Sequence, residues 1–291
     1  MIVSKLSGGL GNQMFQYALG RCLATKNKTK LFLDVSSYEV NDQVTHRNFA
    51  LQDFFIEAEI LKNPISIGSI GKPGLMHRLS EKFIPNYPYY KKQIILERGF
   101  NFDSNILKAP KNCTLIGYWQ SEEYFKDIAI EIRTEFDFKP AVKTPLNAYG
   151  RNIDKSNSVS VHFRRGDYIK DIETNQIHGL CELDYYQRGI DLLSQRFSDL
   201  ELFVFSDDID WVKSNFKTTH KTYFIENNES PIADLYLMSL CKHHIIANSS
   251  FSWWGAWLCK YPEKVIVAPK KWFNLSTRNT NDILPSSWIR L

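Results

Sequence analysis

Two consecutive arginines end an apolar run in the segment VHFRRGDY, residues 161–168. A guanidinium group offers a fork of hydrogen-bond donors that matches two phosphate oxygens, and it stays charged at physiological pH. Arg164 and Arg165 therefore predict a site for a diphosphate. The structural alternative is that one arginine pairs with Asp167 and that His162 is an ordinary core histidine. The segment by itself leaves both interpretations open.

A second polar segment, ANSSFSWWG at residues 247–255, joins an apolar run to a helical pattern. Small hydroxyl residues and backbone N–H groups at a helix N-terminus form an anion site, and the helix dipole favours negative charge there. Ordinary capping of the helix would explain one of these polar residues but not four. The candidate ligand contacts in this segment are Asn248, Ser249, Ser250, Phe251 and Ser252.

A third segment, SGGLGNQ at residues 7–13, lies between a predicted strand and a predicted helix. Glycine lets a backbone approach a phosphate or a sugar closely. The segment is not the dinucleotide-binding motif, because Met14 stands where G-x-G-x-x-G requires its last glycine, and no P-loop motif occurs in the chain. The candidate contacts are Gly9, Gly11, Asn12 and Gln13.

Acidic residues give two further candidates. Asp234, early in a helix predicted to begin at Pro231, could accept hydrogen bonds from a base edge or a ribose, although a first-turn carboxylate is also favoured by the helix dipole. Asp208 and Asp210 form an Asp-x-Asp pattern, which in some sugar transferases binds a divalent cation. Here the pattern ends a strand and opens a helix, so capping is the preferred interpretation.

The elements that must position these residues are most regular in the second half of the chain. Apolar runs alternate there with helical patterns, which indicates a parallel sheet covered by helices on both faces. The predicted strands are 159–163, 202–205, 223–225, 244–247 and 265–268. Polar segments directly follow these strands, and ligands of open α/β sheets bind beyond the carboxyl ends of the strands. The sequence therefore predicts a ligand site at this edge.

The first part of the chain also begins with a strand, a glycine-rich turn and a helix. Residues 40–110 are interrupted by prolines and are expected to form loops and short helices, followed by a strand at 115–119 and a helix at 122–136. The polar stretch 139–157 is the expected domain boundary. It divides the chain into an N-terminal domain, 1–150, and a C-terminal domain, 151–291.

Composition excludes several classes of protein. The 291 residues are 43% hydrophobic and 23% charged, as in folded globular proteins. The net charge of +4 is too small to indicate nucleic-acid wrapping, although it permits peripheral contact with an anionic membrane. The five cysteines show no C-x-x-C spacing, and we expect buried thiols in a reducing compartment. The sequence shows neither the apolar core of a signal peptide nor an apolar stretch long enough to span a membrane. A cytoplasmic protein is therefore expected.

The segments together resemble the α-1,2-fucosyltransferases of glycosyltransferase family 11. The resemblance rests on SGGLGNQMFQYALG at 7–20, VHFRRGDY at 161–168, FVFSDD at 203–208 and DLYLMSLCKHHIIANSSFSWWGAWL at 234–258. It implies an α/β fold of GT-B type, with two Rossmann-like domains facing across a cleft. The N-terminal domain, 1–150, would lie on the acceptor side, and the C-terminal domain, 151–291, would bind GDP-fucose. It also implies transfer of L-fucose from GDP-β-L-fucose to O2 of a terminal β-galactoside, with inversion at the anomeric carbon and with no metal or other cofactor required.

The resemblance also implies roles for individual residues. Arg164 would contact the β-phosphate of GDP, His162 and Asp234 would face guanine, and the turn 248–252 would hold phosphate oxygens. The loop 9–13 would close over the fucose and the acceptor. Distantly similar fucosyltransferases carry another residue where Gly166 stands, so the guanine contacts transfer less directly than the arginine.

The general base for the acceptor hydroxyl is less clearly indicated. Asp167 is preferred among the acidic and histidine side chains that follow the arginines, which also include Asp171, Glu173 and His178. Its alternative role is to orient Arg165, in which case the proton leaves through the departing phosphate.

Two other functions stay open on the sequence. One is a metal-dependent sugar transferase that uses Asp208 and Asp210, and activity in the presence of EDTA would exclude it. The other is a non-catalytic sugar-binding protein, suggested by the seven tryptophans. Release of GDP from a nucleotide sugar would exclude the second.

Overall fold

A computed structural model describes residues 1–38, 47–61, 87–144, 147–166, 179–226, 230–274 and 279–291. The chain divides into two compact units, Met1–Asp137 and Phe138–Leu291. Within the described ranges, every helix is too short or too polar to cross a lipid bilayer.

The first unit contains a five-stranded sheet in which each paired strand runs parallel to its neighbour. The strands are β1 (Ile2–Lys5), β2 (Leu31–Asp34), β3 (Glu59–Ile60), β4 (Ile94–Leu96) and β5 (Cys113–Ile116). Their order is β3-β2-β1-β5-β4, so β1 is central. The polar residues that follow β1, β4 and β5 therefore meet at one edge.

Two helices are described in this unit, α1 (Leu10–Lys26) and α2 (Ala129–Glu135). Most of α1 is buried against the sheet, since its apolar residues recur on more than one face. The Ser4 hydroxyl of β1 donates a hydrogen bond to the backbone oxygen of Gln16 in α1, at 2.7 Å. This contact fixes the helix relative to the central strand.

The second unit contains a six-stranded sheet whose described pairings are all parallel. The strands are β6 (Asn157–Phe163), β7 (Leu200–Ser206), β8 (Lys221–Phe224), β9 (His243–Ile245), β10 (Ile266–Ala268) and β11 (Ile289–Arg290). Their order is β11-β10-β9-β6-β7-β8. Strands β6 and β9 are thus neighbours, although they are far apart in sequence.

Helices cover both faces of the second sheet. They are α3 (Pro140–Lys143), α4 (Asn147–Lys155), α5 (Leu183–Ser194), α6 (Ile209–Asn215), α7 (Pro231–Leu240) and α8 (Ser250–Leu258). Because side chains alternate along a strand, Leu202 and Val204 of β7 join one apolar cluster, whereas Phe203 and Phe205 join the other. Three tryptophans of α8 are buried: Trp253, Trp254 and Trp257.

The α/β architecture with two parallel sheets confirms the predicted fold class. The sequence placed the division between domains after residue 150, but α3 and α4 pack against α7, and Phe138 contacts the ring of Tyr236 at 5.1 Å. Residues 138–150 thus belong to the second compact unit. The helix predicted at 122–136 is two short 3₁₀ turns followed by α2. Ser230 precedes α7 as predicted, but its side chain makes no capping hydrogen bond.

Two adjacent histidines of β9 are held neutral by the fold. Burial, reinforced by the charge of Lys242, lowers the pKa of His243 to about 4. Burial, reinforced by Lys264, lowers the pKa of His244 to about 3. In the unfolded chain these histidines take up a proton near pH 6.5, whereas in the folded chain they stay neutral to a much lower pH. Protonation therefore favours the unfolded state increasingly as the pH falls below 6.5.

We therefore expect the free energy of unfolding to decrease between pH 7.5 and pH 5 by about 1 to 2 kcal/mol for each of these histidines. Urea denaturation at both pH values measures this decrease in the wild type and in His244→Leu. The decrease should be smaller in the variant. The matched control is His220→Leu, because His220 lies at an exposed position against Ser194. An equal decrease in all three proteins would contradict the prediction.

Candidate functional site

The strand order of the second unit brings two of the predicted segments together. Val161 of β6 pairs with Ile245, the last residue of β9, so both strands end at the same edge of the sheet, with β6 extending two residues farther. The arginines that follow β6 therefore lie beside the turn that leads from β9 into α8. The ring centroid of His162 lies 5.8 Å from that of Phe251, in the first turn of α8. Two of the polar segments that follow predicted strands are therefore neighbours at the edge formed by the carboxyl ends of β6 and β9.

Arg164 is held by an acidic residue from the next strand. Its Nη1 lies 2.8 Å from Oδ2 of Asp207, and the two side chains are 19% and 24% exposed. The backbone N–H of Arg165 donates to the other carboxylate oxygen of Asp207 at 2.8 Å. Asp207, which follows β7, is thus a partner of Arg164.

The electrostatic state of Asp207 follows from these contacts. Burial by itself would raise the pKa of this carboxyl group, but the Arg164 guanidinium and the backbone N–H groups of Gly166 and Arg165 outweigh it and hold the pKa below its usual value. A Cβ atom on residue 166 would lie only 2.8 Å from Oδ2 of Asp207, so a larger residue in place of Gly166 would press against this carboxylate. Asp207 is therefore ionised at neutral pH and fixes the turn 164–166.

Arg165 is turned toward α6. Its guanidinium carbon lies 3.1 Å from the centre of the Trp211 ring, and its Nε lies 3.6 Å from Oδ2 of Asp208. Stacking on tryptophan is a common packing mode of arginine. Arg165, predicted as a ligand contact, is thus packed between an aromatic ring and a carboxylate.

His162 lies under the turn rather than on its surface. Its side chain is buried on the sheet face that carries Phe251, and Nδ1 has no hydrogen-bond partner among the described residues. Burial, together with the nearby Arg164 charge, lowers its pKa far below the usual value, against the opposing effect of Asp207. A neutral ring with an unpaired ring nitrogen can hydrogen-bond a neutral heterocycle. The buried environment suits the core interpretation equally well.

The start of α8 has the polar composition that the sequence predicts. Ser249 is the N-cap residue, and its hydroxyl accepts a hydrogen bond from the Phe251 N–H at 3.3 Å. The Ser252 hydroxyl is buried and donates to the Ser249 backbone oxygen at 3.4 Å. Ser250, the first residue of the helix, is half-buried. The hydroxyl groups thus line a helix N-terminus beside Arg164.

Asn248 makes structural contacts. Its Nδ2 donates to the backbone oxygens of Gly179 and Trp272, at 3.2 and 3.3 Å, and its Oδ1 accepts from the Cys181 thiol at 3.6 Å. The side chain therefore joins three loops at the edge of the sheet. Its predicted direct role in phosphate binding has no support from these contacts.

The remaining candidates of this unit are placed as follows. Asp234 lies in the first turn of α7 and is half-buried. Asp167, with the acids and histidine that follow it, lies outside the described residues. Asp208 is the N-cap residue of α6 but makes no side-chain capping bond, and Asp210 is exposed in the first turn. Within the described ranges, no three His, Cys, Asp or Glu side chains form a group that could hold a metal ion.

The glycine-rich loop of the first unit is tightly braced. Gln13 is buried, its Nε2 donates to the backbone oxygens of Gly8 and Asn48, and its Oε1 accepts from the Ala50 N–H. Gln13, predicted as a ligand contact, thus ties the loop to residues 48–50. Gly9 is open, because nothing would lie within 4 Å of a Cβ there. Gly11 is buried in the first turn of α1.

Asn12 connects this loop to the end of β5. Its Oδ1 accepts a hydrogen bond from Nε2 of Gln120 at 2.8 Å. Gln120 was not a candidate in the sequence analysis, since the middle of the chain shows no motif there. Its position directly after a predicted strand is the signal that would have identified it.

Comparison with known proteins yields relatives over the full chain. Escherichia coli α-1,2-colitosyltransferase is 37% identical, with 100% of this chain and 99% of that protein covered. The Escherichia coli O-antigen biosynthesis glycosyltransferase WbnK is 33% identical, with 99% of both chains covered. Mus musculus galactoside 2-α-L-fucosyltransferase Sec1 is 24% identical, with 89% of this chain and 64% of that protein covered.

Solved structures share the fold. An Arabidopsis thaliana FUT1 variant in complex with GDP matches with a TM-score of 0.53 and 12% identity, covering 99% of this chain and 75% of that one. The NodZ α-1,6-fucosyltransferase soaked with GDP-fucose matches with a TM-score of 0.50 and 14% identity, covering 88% and 91%. The sequence model of the family described as Glycosyl transferase family 11 matches residues 1–291. The arginine turn, the hydroxyl-lined helix start and these similarities agree, and the chain belongs to glycosyltransferase family 11.

Proposed function

We propose that this protein transfers L-fucose from GDP-β-L-fucose to O2 of a terminal β-galactoside, with inversion at the anomeric carbon. The observation that carries the proposal is the Arg164–Asp207 pair, which follows β6 and β7 and stands beside the start of α8. The pair and the helix N-terminus supply a fixed guanidinium and a positive dipole at one edge. A nucleoside diphosphate is the leaving group that such an arrangement suits.

The proposed reaction breaks the bond between the anomeric carbon and an oxygen of the β-phosphate, and the electron pair stays on GDP. Acceptor O2 forms its bond to the same carbon from the opposite face. Negative charge on GDP therefore grows in the transition state, where Arg164 and the N–H groups at the start of α8 stabilise it. The acceptor proton passes to a carboxylate, for which Asp167 is the preferred candidate, or to the departing phosphate.

The proposal requires no metal ion. In many sugar transferases a divalent cation neutralises the diphosphate, and the Asp-x-Asp pattern of this chain could suggest one. The carboxylate of Asp208 instead lies 3.6 Å from Nε of Arg165, and Asp207 pairs with Arg164. Asp208 of the pattern thus lies against a cationic side chain, while Asp210 is exposed, and this arrangement supports charge neutralisation by protein groups.

A second donor is supported by one comparison. The relative at 37% identity is named an α-1,2-colitosyltransferase, and colitose is fucose without the 3-hydroxyl group. The O-antigen biosynthesis function named for the relative at 33% identity supports an acceptor that belongs to a surface polysaccharide. The same site would bind GDP-colitose, since the nucleotide contacts do not involve the sugar hydroxyl.

The test measures GDP release from GDP-fucose and from GDP-colitose against a panel of β-galactosides, with EDTA in parallel reactions. We expect transfer from GDP-fucose, dependent on a β-galactoside and unchanged by EDTA, with the new linkage at O2 by NMR. Loss of activity in EDTA that Mg²⁺ restores would show a metal-dependent transferase. Glycan binding without GDP release would show a sugar-binding protein.

A further inference from the structure

The ring of Trp211, in the first turn of α6, lies against the second arginine of the turn that follows β6. The guanidinium carbon of Arg165 is 3.1 Å from the centre of this ring. The hydrogen-bond donors of a guanidinium group point outward in its own plane, whereas an aromatic ring covers its face. The ring therefore fixes the position of the group without occupying its donors.

Core packing accounts for the other apolar residues of this segment better than for Trp211. Ile209, Val212 and Phe216 repeat at helical spacing and pack into the apolar cluster on one face of the second sheet. Trp211 is off this spacing, since it precedes Val212 by one residue, or about 100° around the helix. It borders the same cluster but stays half-buried. The contact with Arg165 covers a further part of its ring.

The Arg165 guanidinium depends on this ring more than on an ion pair. Its side chain is 17% exposed, and its Nε lies 3.6 Å from Oδ2 of Asp208, beyond hydrogen-bond distance. Nε is buried and has no hydrogen-bond acceptor among the described residues. A cation held away from water with a weak ion pair is unfavourable, and stacking on an indole ring offsets part of that penalty. With an aliphatic side chain at position 211, we expect the guanidinium to move out into water.

Movement of Arg165 would displace the turn that carries Arg164. The backbone N–H of Arg165 donates to Asp207 at 2.8 Å, and Nη1 of Arg164 lies 2.8 Å from the other oxygen of the same carboxylate. The next residue, Gly166, is so close to this carboxylate that a Cβ there would lie 2.8 Å from Oδ2. The turn therefore has little room to absorb a change at position 165. Asp207 holds it from the end of β7, and Trp211 holds it from α6.

We infer that Trp211 is a positioning residue, which acts through Arg165 to keep the Arg164 guanidinium in place for the diphosphate of the donor. The inference rests on the proposed function, because that function gives Arg164 its contact with the leaving group. Trp211 itself touches no substrate in this arrangement. GDP carries the charge that the leaving group acquires, so the affinity for GDP reports on the same contact as turnover does.

The experiment measures the Kd for GDP by calorimetry, and kcat for fucose transfer, in Trp211→Leu, Trp211→Phe and the wild type. Trp211→Leu is expected to raise the Kd about tenfold, which corresponds to about 1.4 kcal/mol, and to lower kcat by a similar factor. Trp211→Phe keeps an aromatic face under the guanidinium, so both quantities should stay within about threefold of the wild type. The KM for the β-galactoside should not change in either variant.

The matched control is Tyr223→Leu, because Tyr223 is also half-buried and also contacts a cation, with Nζ of Lys221 5.1 Å from its ring centre. This variant loses a comparable apolar contact but should keep the wild-type Kd for GDP. In an Arg164→Ala background, Trp211→Leu should change the Kd less than about twofold, since the positioned group is already absent. A purely structural role predicts the full rise in that background and a similar rise in Tyr223→Leu, and either result would overturn the inference.

An unchanged Kd for GDP in Trp211→Leu would overturn the inference as well. Where this variant does not fold, Trp211→Met gives the same comparison, because its longer and flexible side chain fills irregular space. A wild type that binds GDP but transfers no fucose would contradict the proposed function and leave the binding test of Trp211 intact. A wild type that does not bind GDP would overturn both.

Discussion

Arg164→Ala is expected to lower turnover about 100- to 1,000-fold, the usual effect of removing one preorganised donor from a developing negative charge. Arg164 follows β6, the neighbour of the strand that leads into α8, and Asp207 holds its guanidinium in one position. Since charge on GDP grows as the sugar leaves, the loss should fall on kcat more than on the KM for GDP-fucose. Steady-state assays with saturating acceptor measure both.

Arg164→Lys separates the role of the planar guanidinium geometry from the role of the positive charge. A lysine can still pair with Asp207 and so preserve the fold, but an ammonium group cannot contact two phosphate oxygens in one plane. We expect a thermal unfolding temperature near that of the wild type, with turnover as low as in the alanine variant. Turnover close to the wild-type value in either variant would reject a role for Arg164 in stabilising the leaving group.

Asp207→Asn is expected to lower kcat/KM about 100-fold, although Asp207 is not assigned a contact with substrate. The carboxylate binds Arg164 and accepts the backbone N–H of Arg165, so its loss frees the turn 164–166. A displacement of about 1 Å of a group that orients substrate can cost this much. The asparagine keeps the shape and one acceptor oxygen, which limits the loss to charge and position.

The matched control for this variant is Asp210→Asn. Asp210 is exposed, lies close in sequence and belongs to the same Asp-x-Asp pattern as Asp208. If Asp207 acts through Arg164, Asp210→Asn keeps the wild-type kcat/KM. The double variant Asp207→Asn/Arg164→Ala should then have nearly the same kcat/KM as Arg164→Ala alone. Equal losses in Asp207→Asn and Asp210→Asn would point to an acidic metal site instead.

Strands β6 to β10 of the second sheet were predictable because of their apolar sequences. Strands that are buried on both faces consist largely of consecutive apolar residues, as in β7 and β10. All five predicted runs overlap β6 to β10, including the less buried edge strand β8. The short edge strands β3, β4 and β11 were not predicted, since two or three residues carry no periodicity and their conformation depends on the neighbouring strand. The 3₁₀ turns before α2 were missed for a different reason, because residues 122–136 show a helical pattern that the folded chain follows only in part.

The candidate site was predictable only in part. The sequence indicated Arg164 and the hydroxyl residues at 249–252 from their position after strands, and the structure places them at adjacent strand ends. It did not indicate that Arg164 pairs with Asp207, because Asp167 is nearer in the chain and the order of the strands was unknown. Ligand contacts of Gln13 and Asn248 stay predictions, and what the sequence did not indicate is that their amides also join loops of the protein.

The sequence by itself determined the α/β class, strands β6 to β10 of the second sheet and the polar segments that follow them. These properties are local, because apolar periodicity along a few residues reports directly which faces are buried. Only the tertiary structure decided which side chains become partners: Arg164 with Asp207, Arg165 with Trp211, and Gln120 with Asn12. Such pairs depend on strand order and register, which arise from contacts between residues far apart in the chain.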